Sequence, residues 1–467
     1  MENNSLIDDL VKKAHIAQKK IANYTQEQID DVIKAVAWQV YKDENIQVLA
    51  KLAVEETEMG NYEDKLTKHK NKVLGVLVDC LAAKSVGLIE RDEAKGISKY
   101  AKPVGVVGAL TPTTNPTATP GSNSVAILKG RNAVIFAPHP RSKKSTALAV
   151  KMMRDGLKQV GAPEDLIQVI EEPSIESTNE LMKKVDLIVA TGGGPMVKAA
   201  YSSGKPAYGV GPGNSCQIID EDADVKDAAN KLSISKAFDN ATSCSSENSI
   251  VIHKSLYYNM IGALKECGAY LCNAGEREHL KGEMWKPNKQ GELTLNVGIV
   301  AKSAIAIAGM AGIKVPENTK ILMVEGEMPL EDDLFAREKL SPVLTLFKYE
   351  TFEEAVEILT RLTDNCGTGH SVGIHTFNKE HIEYLGQHMR TSRIMVRQPQ
   401  AAGNGGAFFN GMPSTVTMGC GTWGNNITTD NITWKHFINV TWVSEPIPLN
   451  RPTDDAVWGD YFAKYGK

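Results

Sequence analysis

"PVGVVGALTPTTNPTATPGSNSVAILKGRNAVIFAPHPRSKKST", residues 103–146, decides the fold. "VGVVGAL" and "NAVIFAP" are short apolar runs, and between them lie a Thr/Pro loop and the helix-like "SVAILKG". A strand that is apolar on both faces needs cover on both, which is the condition of a parallel sheet flanked by helices. The rhythm continues through the helical "SKKSTALAVKMMRDGLKQVG", the strand "LIQVIEE" and the helix "STNELMKKV", then reaches "DLIVATGGG", a strand running into glycines. Such βαβα alternation predicts an open, doubly wound α/β sheet. Ligands of these sheets sit at the carboxyl ends of the strands, where this chain has the loops "TPTTNP", "APHPRSKKS" and "TGGGP".

Outward from that core, residues 5–59 read as amphipathic helices, with Thr25 and Gln28 at capping-box spacing. Residues 85–101 read as two strands around a polar turn containing Asp92 and Gly96. A second α/β stretch carries the strands "SIVIH", "ILMVEG", "VLTLFKY", "SVGIHT" and "RIMVRQ". At 467 residues the chain exceeds one compact core. The expected division is a dinucleotide-binding domain at 1–230, a catalytic domain at 231–424 and a return segment at 425–467 ending in the strand-like "HFINVTWVSEPI".

Composition narrows the classes. A net charge of −4 argues against non-specific attraction to nucleic acid or membrane surfaces. No apolar run approaches the ~20 residues a bilayer requires, and "MENNSLIDDLVKKAHIAQKK" lacks a signal-peptide core. Seven cysteines, scattered and odd in number, suit a reducing cytoplasm better than a disulfide framework. None lies at metal-ligand spacing, so no metal site is expected.

One of the seven stands apart. In "FDNATSCSSENSIVI", residues 238–252, Cys244 sits in a polar loop of small residues just before a strand. Alone it reads first as a plain loop cysteine, because an ordinary thiol is only ~3% ionised at pH 7. A nucleophile needs helpers.

Those helpers come with a resemblance. "PVGVVGALTPTTNPTATP", "KGRNAVIFAPHPRSKKST", "AYSSGKPAYGVGPGNS", "FDNATSCSSENS", "EKLSPVL" and "MGCGTWGNN" occur in this order across nearly the whole chain. Together they resemble the CoA-acylating branch of the aldehyde dehydrogenase superfamily. The resemblance implies two doubly wound α/β domains, a Rossmann-like cofactor domain and a catalytic domain. An oligomerisation arm built from the 85–101 hairpin and the C-terminal strand would join them, and hence a homodimer or homotetramer. It implies Cys244 as nucleophile, with Asn115 and the backbone N–H of Cys244 as oxyanion donors. Glu338 would hold the nicotinamide ribose of NAD or NADP, and Thr111, Pro112, His139, Gly192, Gly193 and Gly194 would surround the rest of the dinucleotide. Ala137 and His139 stand where hydrolytic relatives carry "KPSE". Arg141, Lys143 and Lys144 would receive phosphates of coenzyme A or of the dinucleotide.

The residues also admit blander readings. Asn115 suits a turn before Pro116, Glu338 suits a surface helix, and the basic trio suits a solvated helix face. His370, in "GTGHSVGIHT", either assists thiol transfer or is a structural histidine. An inactive binding protein on the same fold would have little reason to keep Cys244, Asn115 and Glu338 together.

Two departures bear on the reaction. Val210, in "GVGPGNS", stands where hydrolytic relatives carry the glutamate of "ELGGK" that activates water. Losing a general base typically costs ~10²- to 10⁴-fold in rate, so the resemblance implies that coenzyme A, not water, collects the acyl group. The substrate implied is a small anionic aldehyde, with sulfoacetaldehyde ahead of succinate semialdehyde and acetaldehyde. Arg397, with Thr242, Ser243 and Ser245, would bind its anionic end through charge-assisted hydrogen bonds, unless Arg397 is instead a surface ion pair.

Overall fold

A computed structural model describes residues 5–467. The 103–146 stretch forms the centre of a five-stranded parallel sheet. Its spatial order is Ile167–Val169, Ala133–Pro138, Val106–Thr111, Leu187–Thr191 and Ala207–Val210. Val106–Thr111 and Ala133–Pro138 are buried at every position, as their unbroken apolar runs require. Strand order reverses between Val106–Thr111 and Leu187–Thr191, so the loops after these two strands flank the switch point where such sheets bind ligands. Four helices, Leu6–Ile21, Gln26–Gln39, Asp43–Thr57 and Tyr62–Leu81, lead into this sheet. Thr25 and Gln28 form the expected reciprocal cap.

The second sheet has seven parallel strands. They run Ala269–Leu271, Ile321–Glu325, Val343–Tyr349, Ser249–His253, Cys216–Ile219, Val372–His375 and Ile394–Val396. Every strand quoted above from the sequence is present. The crossing between sheets, however, falls between Val210 and Cys216, ahead of the expected residue 230. Cys216–Ile219 pairs with Ser249–His253 on one side and Val372–His375 on the other. A four-residue apolar strand reads the same in either sheet, so its pattern does not say which one it joins.

A third, antiparallel sheet joins Gly87–Asp92, Ile97–Pro103 and Ile438–Ser444. The return segment stays against the body at first, with Ile432 and Phe437 packed into the core around the first sheet. Beyond Phe437 the chain is exposed. Trp442 is 62% exposed, and the helix Asp454–Tyr465 buries none of its residues. Among the described residues no helix is long and apolar enough to cross a membrane.

Candidate active site

Cys244 stands between the turn Phe238–Ala241 and the strand Ser249–His253. The turn is unusual: Asp239, Asn240 and Ala241 have φ of +51°, +52° and +59°, three successive left-handed residues without a glycine. The buried carboxylate of Asp239 holds it. That group accepts from Lys65 Nζ at 2.8 Å, from Lys68 Nζ, from Thr242 Oγ1 at 2.8 Å and from the Asn61 N–H at 3.1 Å. The crossing loop passes so close that a Cβ on Gly213 would meet the Cys244 carbonyl oxygen at 2.3 Å.

The thiol has a defined neighbour. Cys244 Sγ lies 3.1 Å from His370 Nε2, and His370 Nδ1 lies 2.8 Å from Ser371 Oγ. Ser371 Oγ is 2.7 Å from Ser215 Oγ, which reaches the Cys244 carbonyl at 3.3 Å. A carbonyl only accepts, so Ser215 donates to it and Ser371 donates to Ser215. His370 Nδ1 must then carry the proton given to Ser371, which leaves Nε2 bare to accept from the Cys244 thiol. Burial, with Arg393 nearby, pushes His370 down to about 3. Burial, with Glu338 nearby, pushes the Cys244 thiol up to about 12. The resting pair is a neutral thiol on a neutral imidazole.

Asn115 shares a cavity of about 1090 Å³ with Cys244 and His370. Its Oδ1 accepts from Lys68 Nζ at 2.9 Å. An ammonium has no lone pair, so the atom facing it is the oxygen, and the amide N–H₂ is free for another partner. Thr242, Ser243 and Ser245 line the same cavity. Thr242 Oγ1 is already engaged by Lys68 at 2.7 Å, while the Ser243 and Ser245 hydroxyls lie 2.8 Å apart.

Toward the switch point the wall is made by Pro112, His139, Gly192 and Gly193, with Glu338 beside them. Glu338 accepts the Gly213 N–H at 3.1 Å, and burial pushes its carboxyl up to about 8. Gly193 caps the helix Gly194–Tyr201 without a side chain. Pro195 has no N–H and the Met196 N–H bonds to the Gly193 carbonyl at 3.0 Å, so what this end presents to an anion is its dipole and the Gly194 N–H. These residues suit a dinucleotide. Thr111 ends its strand buried behind Pro112, and neither it nor Gly194 reaches the cavity wall.

The basic residues fall elsewhere. Arg141 lines a separate recess of about 250 Å³ with Met59 and Lys302. Lys143 pairs with Glu172. The N–H groups of Lys144 and Ser145 are taken by Glu56, each at 2.8 Å. The Glu56 carboxylate therefore already occupies the helix end that carries the lysines expected to receive phosphate. Arg397 is also off the wall. Its guanidinium donates to the Thr376 carbonyl and stacks 4.5 Å from the centre of the Phe377 ring. The left-handed backbone at Arg397 (φ +51°) ends its strand there, and the wall resumes only at Pro399 and Ala401.

The sequence reading does not reach Lys68, Lys72 and Asp239. Lys72 lines the cavity and donates to the carbonyls of Gly405 and Gly406 at 2.9 and 3.2 Å. It has no carboxylate partner among the described residues, and burial pushes it down to about 8. The available signal was helical phase: Lys65, Lys68 and Lys72 share the face of the buried Val73 and Val76. No cluster of three or more metal-ligating side chains occurs among the described residues.

Two doubly wound sheets that close over a thiol, an amide donor and a dinucleotide-shaped wall define an aldehyde dehydrogenase. Residues 2–419 match the model of the aldehyde dehydrogenase family, and the chain belongs to that family. Sulfoacetaldehyde dehydrogenase of Acholeplasma sp is 64% identical, over 98% of this chain and 94% of its own length. The acylating sulfoacetaldehyde dehydrogenase of Bilophila wadsworthia is 58% identical over 99% of both chains. Among solved structures, an acetylating aldehyde dehydrogenase of Geobacillus thermoglucosidasius superposes with a TM-score of 0.91 at 38% identity, covering 96% of this chain and 98% of its own. A propionaldehyde dehydrogenase of Rhodopseudomonas palustris with bound CoA and an acylated cysteine gives 0.83 at 28%, covering 94% and 97%.

Proposed function

We propose that this chain oxidises sulfoacetaldehyde to sulfoacetyl-CoA, reversibly, with NAD or NADP as hydride acceptor. The observation that carries the acylating chemistry is the pair Val210 and His370. The cavity wall is a valine where hydrolytic relatives place a base for water, while a bare imidazole nitrogen stands 3.1 Å from the nucleophile. His370 Nε2 takes the Cys244 proton as sulfur attacks the aldehyde carbon. Asn115 receives the alkoxide that forms. Glu338, on the cavity wall, would hold the nicotinamide ribose, and the bound NAD or NADP would supply the hydride acceptor. Once His370 has released that proton to solvent, the thioester left on Cys244 is open to the thiol of coenzyme A. His370 takes the CoA proton as the CoA sulfur attacks and returns it to the Cys244 sulfur as the acyl–Cys244 bond breaks. Names of the two relatives above support sulfoacetaldehyde, and succinate semialdehyde and acetaldehyde are the substrates to compare.

The anionic end needs a cation other than Arg397. Lys68 is engaged by Asp239. Of the two wall lysines without a carboxylate partner among the described residues, Lys435 is exposed, while Lys72 is half-buried with two carbonyls as partners. Lys72 is therefore the cation we assign to the sulfonate. The exposed strand Ile438–Ser444 and helix Asp454–Tyr465 support a homodimer or homotetramer. Seven unbridged cysteines support a cytoplasmic setting. The test is NAD(P)H formation from the three aldehydes with and without CoA. Full-speed formation of sulfoacetate without CoA, or a preference for acetaldehyde, would overturn the proposal.

A further inference from the structure

The charges beneath the nucleophile loop are not used by any step above. Lys65, Lys68 and Asp239 are 3%, 8% and 0% exposed, and two ammonium groups share one carboxylate. Burying ions in this way is a poor means of gaining stability, since apolar residues of the same volume commonly do better. The arrangement is nonetheless specific. Lys68 Nζ has three protons and three acceptors: Asn115 Oδ1 at 2.9 Å, Thr242 Oγ1 at 2.7 Å and the Asp239 carboxylate. These acceptors lie on two different structural units. Asn115 belongs to the loop after Val106–Thr111, while Asp239 and Thr242 belong to the turn that delivers Cys244.

We propose that Lys68 is a positioning residue for the oxyanion site. It fixes the Asn115 carboxamide with its N–H₂ turned away from the ammonium, toward the alkoxide. It also draws electron density from Oδ1, which makes the amide a stronger donor. Through Asp239 and Thr242 the same ammonium ties the donor to the left-handed turn preceding Cys244, so donor and nucleophile keep one spacing. Lys65, bound to Asp239 and to the Thr114 carbonyl at 2.8 Å, braces the same two loops. This proposal rests on reading Asn115 as the oxyanion donor.

The experiment compares Lys68→Met, Asn115→Ala and the double variant in the full-length enzyme. It measures kcat, aldehyde KM, the rate of Cys244 alkylation by iodoacetamide and the thermal midpoint. Lys68→Met leaves Lys65 and Asp239 as a balanced pair, so the fold is expected to survive. Loss of one oxyanion donor costs ~10²- to 10³-fold in kcat. Lys68→Met is expected to lose ~10-fold or more of that, with KM and alkylation near those of the parent. The double variant should be no slower than Asn115→Ala alone. Losses that multiply, or alkylation that falls together with kcat, would overturn the proposal. So would failure of both Lys68→Met and Lys68→Gln to fold, which would make Lys68 a stability residue. Unchanged kcat in Asn115→Ala would instead remove the oxyanion reading itself.

Discussion

Cys244 Sγ and His370 Nε2 lie 3.1 Å apart, and the serine chain behind the histidine leaves that nitrogen with a lone pair facing the sulfur. The relationship is that of an acid and its base before proton transfer, not of a preformed ion pair. Each group is buried enough that its charged form is disfavoured, so ionisation waits for something in the cavity to stabilise it.

This resting state has a pH signature. His370, lowered to about 3, is neutral at every working pH. Cys244, raised to about 12, loses its proton only far above neutrality. In the unliganded enzyme the thiolate fraction should then grow about tenfold per pH unit. Iodoacetamide inactivation is expected to accelerate steadily from about pH 6 to about pH 9 without levelling. A plateau below about pH 7 would reveal a thiolate–imidazolium pair and contradict the assignment.

The serine chain predicts a graded loss. His370→Ala removes the base, and a fall of ~10²- to 10⁴-fold in CoA-dependent turnover is expected. Ser371→Ala leaves the base but frees the ring to adopt the other tautomer, so about a tenfold fall is expected. Equal losses in the two variants would mean that Ser371 supports the loop and not the proton position.

Substrate charge should be read by Lys72. A charge-assisted hydrogen bond contributes ~1.5–3 kcal/mol, so Lys72→Met is expected to raise KM for sulfoacetaldehyde at least ~10-fold and leave acetaldehyde nearly unchanged. Lys72, lowered to about 8, is charged below that pH and neutral above it. KM for sulfoacetaldehyde should therefore climb as pH passes about 8, while KM for acetaldehyde stays level. A parallel rise for both aldehydes would assign Lys72 only to tethering Gly405 and Gly406. Arg397→Leu, whose guanidinium faces Phe377, is expected to leave both KM values alone.

What the sequence made legible follows from the range over which its signals act. Strands such as Val106–Thr111 and the cap at Thr25 are local patterns, and they appear where expected. Cys244 and Asn115 are recognisable from short ordered segments. Lys68 and Asp239 are not, because 171 positions separate them and each alone reads as a solvated charge. Arg397 misled for a related reason: its position ahead of the loop that lines the cavity does not tell where its side chain points once its own backbone is left-handed. The placement of Cys216–Ile219 in the second sheet depends on long-range pairing that a four-residue strand does not encode.

Val210 offers the sharpest test of why coenzyme A is needed. It ends the strand Ala207–Val210, is buried and lines the cavity that holds Cys244. If water fails as acceptor for want of a base at this position, restoring one should change the product. Val210→Glu is expected to release free sulfoacetate without CoA at least ~10-fold faster than the parent, a fraction of what a positioned base contributes. Burial will raise the introduced carboxyl above its ordinary range, so the gained activity should increase with pH as that group ionises. The measurement is acid release in the absence of CoA across about pH 6 to about 9, with Val210→Gln as the uncharged control. Equal hydrolysis by the glutamate and glutamine variants would show that water is excluded by something other than the missing base.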